Sequence, residues 1–326
     1  MIVFLTGGTG FIGRNLAVKL ARQGHHVRCL VRDPAGASWM REHPGLDPVR
    51  GDIGDPGSLR RCLEGAEAVF HLAGVTKAAS RDEYLRVNGR GTEHVASAVA
   101  AADGRIRKVL LVSSLAVAGP RTAANPAREE DEPGPITWYG ESKLLGERLF
   151  LERCGHLPWT IVRPPVVYGP FDRDVFLYFK AAASGFVPLL RGGTMELSLV
   201  HVEDLTDAIL LAGFSPEAHG KRYYVSDGAV HTTRGLADLL RMILGRGAIL
   251  PVPASLLRAA GLLCDAGARL TGKPALLNGQ KVRESLQDGW VCSDERIRKE
   301  LGYAPRVGIE HGFRSTLSWY RENGWI

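Results

Sequence analysis

Thr6-Gly7-Gly8-Thr9-Gly10-Phe11-Ile12-Gly13 follows directly on the apolar run Met1-Ile2-Val3-Phe4-Leu5 and leads into a helix-like pattern over residues 10–23. Gly7 permits the tight turn, Gly10 lets backbone approach a pyrophosphate, and Gly13 lets helix and strand pack closely. The helix start then offers unpaired N–H groups and the positive end of its dipole to phosphate. Strand, glycine turn and helix in this order predict the first unit of a dinucleotide-binding sheet.

Working outward, short β-branched runs alternate with helical patterns. Strands are expected at 2–5, 26–31, 68–72, 108–113 and 159–163, with helices at 10–23, 58–63, 84–101 and 139–152. Runs such as IVFLTG and VLLVSS are apolar on both faces, as strands of a doubly wound parallel α/β sheet must be. Beyond Pro164, helices are expected at 175–184, 203–213, 233–244, 255–270, 293–301 and 309–322, with strands at 197–202 and 222–226. Pro and Gly clusters place loops at 120–136, 185–193 and 271–279. The division expected is a Rossmann domain over 1–165, with 197–230 returning to it. Residues 166–196 and 231–326 then make a smaller, mostly helical substrate lobe.

Composition narrows the class. The chain has 326 residues, 45% hydrophobic and 23% charged, which fits a globular protein and excludes disorder. Its net charge of +6 comes from scattered residues, with no basic run of nucleic-acid type. Five cysteines without a CxxC pair argue against a disulfide framework or structural zinc. The five-residue apolar N-terminus is too short for a signal peptide. Pro251, Pro253, Arg258, Asp265 and Arg269 interrupt the apolar stretch 248–270, short of the about 20 apolar residues a spanning helix needs. The expectation is a cytoplasmic protein without a membrane span.

Two further patterns carry chemistry. Strand two ends in Leu30-Val31-Arg32, where an acidic residue would take the ribose 2′-hydroxyl of NAD. A guanidinium there suits a 2′-phosphate, so NADP is expected over NAD; Arg14 is placed to add a second charge. The other reading leaves Arg32 solvated and gives the ribose to Asp33. Asp52, followed by Ile53, is placed to accept from the adenine amino group. In Tyr139-Gly140-Glu141-Ser142-Lys143, residues i and i+4 share a helix face. An ammonium from Lys143 is expected to lower the pKa of Tyr139 and fit it for acid–base work.

The set TGGTGFIG (6–13), GDI (51–53), HLAG (71–74), VNGRGT (87–92), VSSLAVAG (112–119), YGESK (139–143), RPPVVYGP (163–170) and VHVEDL (200–205) resembles the extended short-chain dehydrogenase/reductases, often labelled the NAD-dependent epimerase/dehydratase family. The resemblance covers roughly residues 1–215. It implies a Ser-Tyr-Lys set of Ser114, Tyr139 and Lys143, with Ser114 chosen over Ser113 by counting back from Ala118-Gly119. It also implies a cofactor wall of Leu72, Ala73 and Gly74, with Pro164 to Val166 facing the nicotinamide. Asn88, His201 and Asp204 match positions that read as fold-fixing.

Departures from the family narrow the reaction. Leu115-Ala116 follow Ser114 where 4,6-dehydratases carry Asp-Glu, so water elimination is not expected. Residues 194–199 lack the diphosphate-clamping arginine of nucleotide-sugar enzymes, although Arg191 lies nearby. Ala118 replaces a usual tyrosine, which either enlarges the pocket or alters packing. LVRDP at 30–34 resembles the flavonol- and cinnamoyl-type reductases, with steroid-dehydrogenase-like members as neighbours.

An apolar lobe, including Phe171, Val175, Phe179, Leu256 and Leu263, fits a hydrophobic ketone or alcohol. The expectation is an NADP(H)-dependent oxidoreductase acting on a small-molecule substrate, with a homodimer by analogy. A nucleotide-sugar epimerase retaining NAD and a non-catalytic dinucleotide sensor or assembly factor are the alternatives.

Overall fold

The computed structural model describes residues 1–102, 104–271 and 278–326. The first units are β1 (Ile2–Thr6), α1 (Phe11–Arg22), β2 (His26–Val31), β3 (Leu46–Arg50), α2 (Pro56–Leu63) and β4 (Ala68–His71). There follow α3 (Arg81–Tyr84), α4 (Gly91–Ala100), β5 (Lys108–Val112), α5 (Trp138–Cys154) and β6 (Trp159–Arg163). With the strand Lys221–Tyr224 they form one seven-stranded sheet in the order Lys221–Tyr224, β6, β5, β4, β1, β2, β3. Every pairing in it is parallel. Strand order reverses between β1 and β4, and the crevice at their C-terminal ends is where such sheets bind ligands.

Both faces of the sheet are covered, which is why β4 and β5 are buried at every position. One side buries Leu16, Leu20, Phe70 and Ile209; the other buries Leu59, Val95, Val99 and Phe150. A buried ion pair links α5 to β6. Arg163 spans both Glu147 oxygens at 2.9 and 2.6 Å and donates to the Tyr224 hydroxyl at 3.1 Å. Bidentate geometry offsets the desolvation of both charges and fixes where α5 sits.

Three expectations change. The loop at 185–193 is in part a strand, Phe186–Leu190, paired in parallel with Ala248–Val252. Its alternation of Val187 and Leu189 inward with Phe186 outward marks a half-buried strand, which the Gly and Pro residues masked. The apolar stretch 248–270 is therefore a strand and then the helix Ala254–Thr271. Leu256, Leu262 and Leu263 of that helix are 60–74% exposed and are not among the residues lining the cleft described below. The helix expected over 84–101 opens into a π turn at Leu85–Arg90 between α3 and α4, a feature frequent at functional sites. The loop expected at 271–279 falls mostly outside the described residues. No helix among the described residues is long and apolar enough to cross a membrane.

Candidate active site

The glycine turn is closed from below and open above. Gly7 has φ +78°, and a Cβ there would sit 2.7 Å from the Ala73 nitrogen and the Leu72 carbonyl carbon. A Cβ on Gly13 would lie 2.0 Å from the Gly7 oxygen, whereas one on Gly10 would meet only that oxygen, at 3.2 Å. Gly10 caps α1 without a side chain, so nothing of its own covers the first turn. Thr9 is exposed on the rim, and Phe11 and Ile12 line the adjoining cleft. This cradle fits a pyrophosphate.

At the end of β2, Arg32 is exposed. Asp33 turns back into its own loop, accepting from the Ala35 N–H at 3.0 Å. Arg14 does not stand free to help Arg32. Its guanidinium lies 4.1 Å from the Trp39 ring centroid and 4.0 Å from that of Phe171, and burial holds its pKa below the ordinary arginine value. Asp52 is exposed and accepts from Gly54 N–H at 2.7 Å, while Ile53 packs against α4 at Gly91.

Ser114, Tyr139 and Lys143 meet at the C-terminal ends of β5 and β6, where Leu72, Gly74, Pro164 and Val166 also line the cleft. Ala73 lies between them, its N–H on Thr6 Oγ1 at 3.1 Å. Ser114 Oγ accepts from Ala116 N–H at 3.1 Å and lies near enough to the Tyr139 hydroxyl to favour its ionised form. Ser113 is buried, and its hydroxyl has no partner.

The expected lowering of the Tyr139 pKa is not found. Burial in the cleft raises it, and the Ser114 hydroxyl and the positive charge of Lys281 oppose that only in part. Lys143 instead donates to the Val112 carbonyl at 2.7 Å, and burial brings its pKa down to about 8 against the pull of Glu147.

A buried polar chain joins the glycine turn to this cluster; all of its members lie within the motifs quoted above, although of them only Asn88 and Tyr139 carried an expected role of their own. Thr6 Oγ1 contacts His71 Nδ1 at 2.6 Å, and His71 Nε2 contacts Thr92 Oγ1 at 3.0 Å. Thr92 donates to the Asn88 carbonyl at 2.7 Å, and Asn88 donates to Ser142 Oγ at 2.9 Å. Ser142 in turn donates to the Tyr139 carbonyl at 2.7 Å. Burial and the neighbouring Lys143 push His71 down to about 3, so it is neutral here. Asn88 also clamps Val75 through its N–H and carbonyl, at 2.8 and 3.0 Å. The π turn brings Asn88 into this place.

The cleft holds about 430 Å³, a volume typical of small-molecule sites. Its outer wall is apolar, with Val175, Met195, Leu197 and Trp290. Four ionisable side chains join them, Asp172, Asp174, Lys281 and Glu284, which no motif had marked. Arg191 is paired with Asp288 at 2.6 Å and is not among the residues that line the cleft. Ala118 is buried beside Leu115, Ala127 and Tyr224. Asp204 accepts from the N–H groups of Arg306 and Val307 at 3.0 Å each, and His201 Nδ1 accepts from Glu203 N–H at 3.3 Å. Both residues brace the fold.

Comparison with known proteins adds the following. A profile of the NAD dependent epimerase/dehydratase family matches residues 3–226. The chain is 33% identical over 337 residues to the ceramide reductase of Caulobacter vibrioides (strain NA1000 / CB15N), covering 100% of this chain and 96% of that protein. It is 31% identical to the 4-hydroxy-2-methyl-3-oxo-4-farnesyl-3,4-dihydroquinoline-1-oxide ketoreductase of Stigmatella aurantiaca, covering 96% and 94%. Among solved structures, a dTDP-glucose 4,6-dehydratase from Streptomyces venezuelae with NAD and TYD bound superimposes with a TM-score of 0.81. That match is 24% identical and covers 100% of this chain and 98% of the other, a likeness of fold.

Proposed function

The chain belongs to the NAD dependent epimerase/dehydratase family and is an NAD(P)-dependent oxidoreductase of the extended short-chain dehydrogenase/reductase type, and from that premise we propose that it reduces a ketone on a largely apolar substrate, using NADPH. The observation that carries this reading is the meeting of Ser114, Tyr139 and Lys143 on the floor of a cleft with an apolar outer wall. Relatives named for reducing a ceramide and a farnesyl-bearing ketone support the substrate class. Arg191, bound to Asp288, speaks against the nucleotide-sugar alternative.

When bound, the nicotinamide supplies the hydride. The chain's own residues handle the oxygen. Ser114 hydrogen-bonds the ketone oxygen and orients it toward Tyr139. A phenol is ordinarily protonated at neutral pH, burial favours that form of Tyr139 further, and it acts as the acid that a reduction requires. Lys143 would hold the nicotinamide ribose and brings positive charge to the cleft. Leu72, Ala73, Gly74, Pro164 and Val166 form the wall around the cofactor, with Thr9, Gly10, Phe11 and Ile12 at the pyrophosphate.

The test is NADPH consumption with a series of long-chain ketones, compared with NADH. Consumption with NADPH supports the reading, and failure with every ketone while NADPH binds overturns it. Arg32 is proposed to take the 2′-phosphate, since Asp33 is committed to its own loop. Arg32→Ser is expected to cut the NADPH-over-NADH preference by about 10- to 100-fold, the loss of charge-assisted hydrogen bonds. An unchanged ratio of the two Kd values would show that Arg32 does not read the phosphate.

The pH profile follows from Lys143. A base is charged below its pKa, so the ammonium persists up to about pH 8 and is lost above it. The kcat/KM for ketone reduction is therefore expected to be level toward neutrality and to fall above that point, by about tenfold per unit. A profile level to strongly alkaline pH removes the Lys143 charge from the reaction.

A further inference from the structure

The helix Gly279–Ser285 lies across the start of the catalytic helix α5. Gln280 Oε1 accepts from Trp138 N–H at 3.0 Å, and Thr137 Oγ1 donates to Glu284 Oε1 at 3.4 Å. Asn278 Oδ1 accepts from Lys281 N–H at 2.9 Å, and Gly279 N–H donates to Asp265 at 3.0 Å, so this short helix is held at its start. From it Lys281 and Glu284 reach the cleft as an ion pair at 2.9 Å, with side chains 41% and 18% exposed.

Asp172, which also lines the cleft, is turned onto the backbone N–H groups of Asp174, Val175 and Phe176, and the two other carboxylates of this part are each paired with a lysine. Asp174 is paired with Lys77, and Glu284 with Lys281. A ligand with a net charge meets an opposing group for each favourable one. A plain hydrocarbon removes water from the Lys281–Glu284 pair and returns nothing, which is unfavourable for polar groups. A neutral group carrying both a donor and an acceptor satisfies both halves, since an ammonium only donates and a carboxylate only accepts.

We propose that Lys281 and Glu284 recognise a neutral polar substituent of the substrate, an amide or a hydroxyl, carried beside the reacting ketone. Lys281 donates to its oxygen and Glu284 accepts from its N–H or O–H. This deepens the ketoreductase reading and rests on it. The substrate class becomes a long apolar chain whose ketone is flanked by a neutral hydrogen-bonding group. Lys281 and Glu284 are specificity residues that do not touch the reacting atoms.

The test measures kcat/KM with NADPH for four ketones of matched chain length: a plain ketone, a 2-acylamino ketone, a 2-hydroxy ketone and a 3-keto acid. The acylamino or hydroxy ketone is expected to exceed the plain ketone by about 10- to 100-fold, while the keto acid shows no such gain. Lys281→Met is expected to bring the preferred ratio to within about threefold of unity, losing far more on the substituted ketone than on the plain one. Glu284→Gln, which keeps size and hydrogen bonding, reduces the ratio less. Turnover of the plain ketone reports that each variant is folded.

Equal losses on all ketones would assign Lys281 a general structural or electrostatic role and overturn the inference. Preference for the keto acid, or no preference in the parent protein, overturns it while leaving the ketoreductase reading intact. Failure of every ketone with NADPH bound overturns both.

Discussion

Tyr139→Phe is expected to lower kcat for ketone reduction by about 10³-fold while NADPH affinity stays within a few-fold. General acid catalysis by a positioned group contributes about 10²- to 10⁴-fold, and Phe removes only the hydroxyl that gives the proton. The ring itself is retained, with its edge contact to Tyr84 at 6.2 Å between centroids. The Tyr139 carbonyl keeps its hydrogen bond from Ser142, so α5 starts in the same place. The loss therefore reads the proton transfer and leaves the cofactor site intact. Single-turnover kinetics with NADPH already bound separate the two. A variant keeping more than a tenth of the parent rate would mean that the proton comes from another group, and the assignment of Tyr139 would be withdrawn.

Gly13→Ala is expected to weaken NADPH binding by about 100-fold or more and to lower the thermal midpoint by several degrees. The new methyl group would stand 2.0 Å from the Gly7 oxygen and 2.7 Å from its carbonyl carbon. Both atoms are backbone and cannot rotate away. Either α1 shifts along β1 or the turn opens, and each movement carries the first-turn N–H groups out of place. Overpacking of this kind costs about 1–3 kcal/mol or more. Gly24→Ala is the control, since φ is +83° there but the methyl group would meet nothing within 4 Å. Its cost is backbone strain alone, of order 1 kcal/mol, with NADPH binding unchanged. Calorimetric titration with NADPH checks both. If Gly13→Ala bound NADPH as the parent does, the cradle assigned to the glycine turn would be wrong.

The sheet and the principal motifs were legible because their signals are local. β2 and β6 fall on the residues their apolar runs marked, and the helices Thr233–Leu244 and Ile309–Glu322 likewise follow their periodicity. Residues 185–193 were misread because Gly and Pro, which usually break structure, here flank a two-stranded parallel pair whose partner lies about 60 residues further on. The π turn was invisible because the periodicity of 84–101 is helical throughout, and only the packing of Asn88 against Val75 and Ser142 selects it.

The site divides along the same line. Tyr139 and Lys143 share a helix face by spacing alone; the place after β5 marks Ser113 and Ser114 together, and only the family resemblance prefers Ser114. Which group moves the tyrosine pKa was not in the spacing. That depends on desolvation in the cleft and on Lys281, 142 residues away, and both are products of the closed fold.

The sequence by itself therefore determined the parallel sheet, the glycine turn and the shared helix face of Tyr139 and Lys143, because each is written in a short local pattern of residues. Tertiary structure alone decided that the Tyr139 pKa moves up rather than down, that Arg14 and Arg191 contact Trp39, Phe171 and Asp288, and that Lys281 and Glu284 face the cleft. Those outcomes depend on burial and on charges brought together from distant segments, which no local pattern encodes.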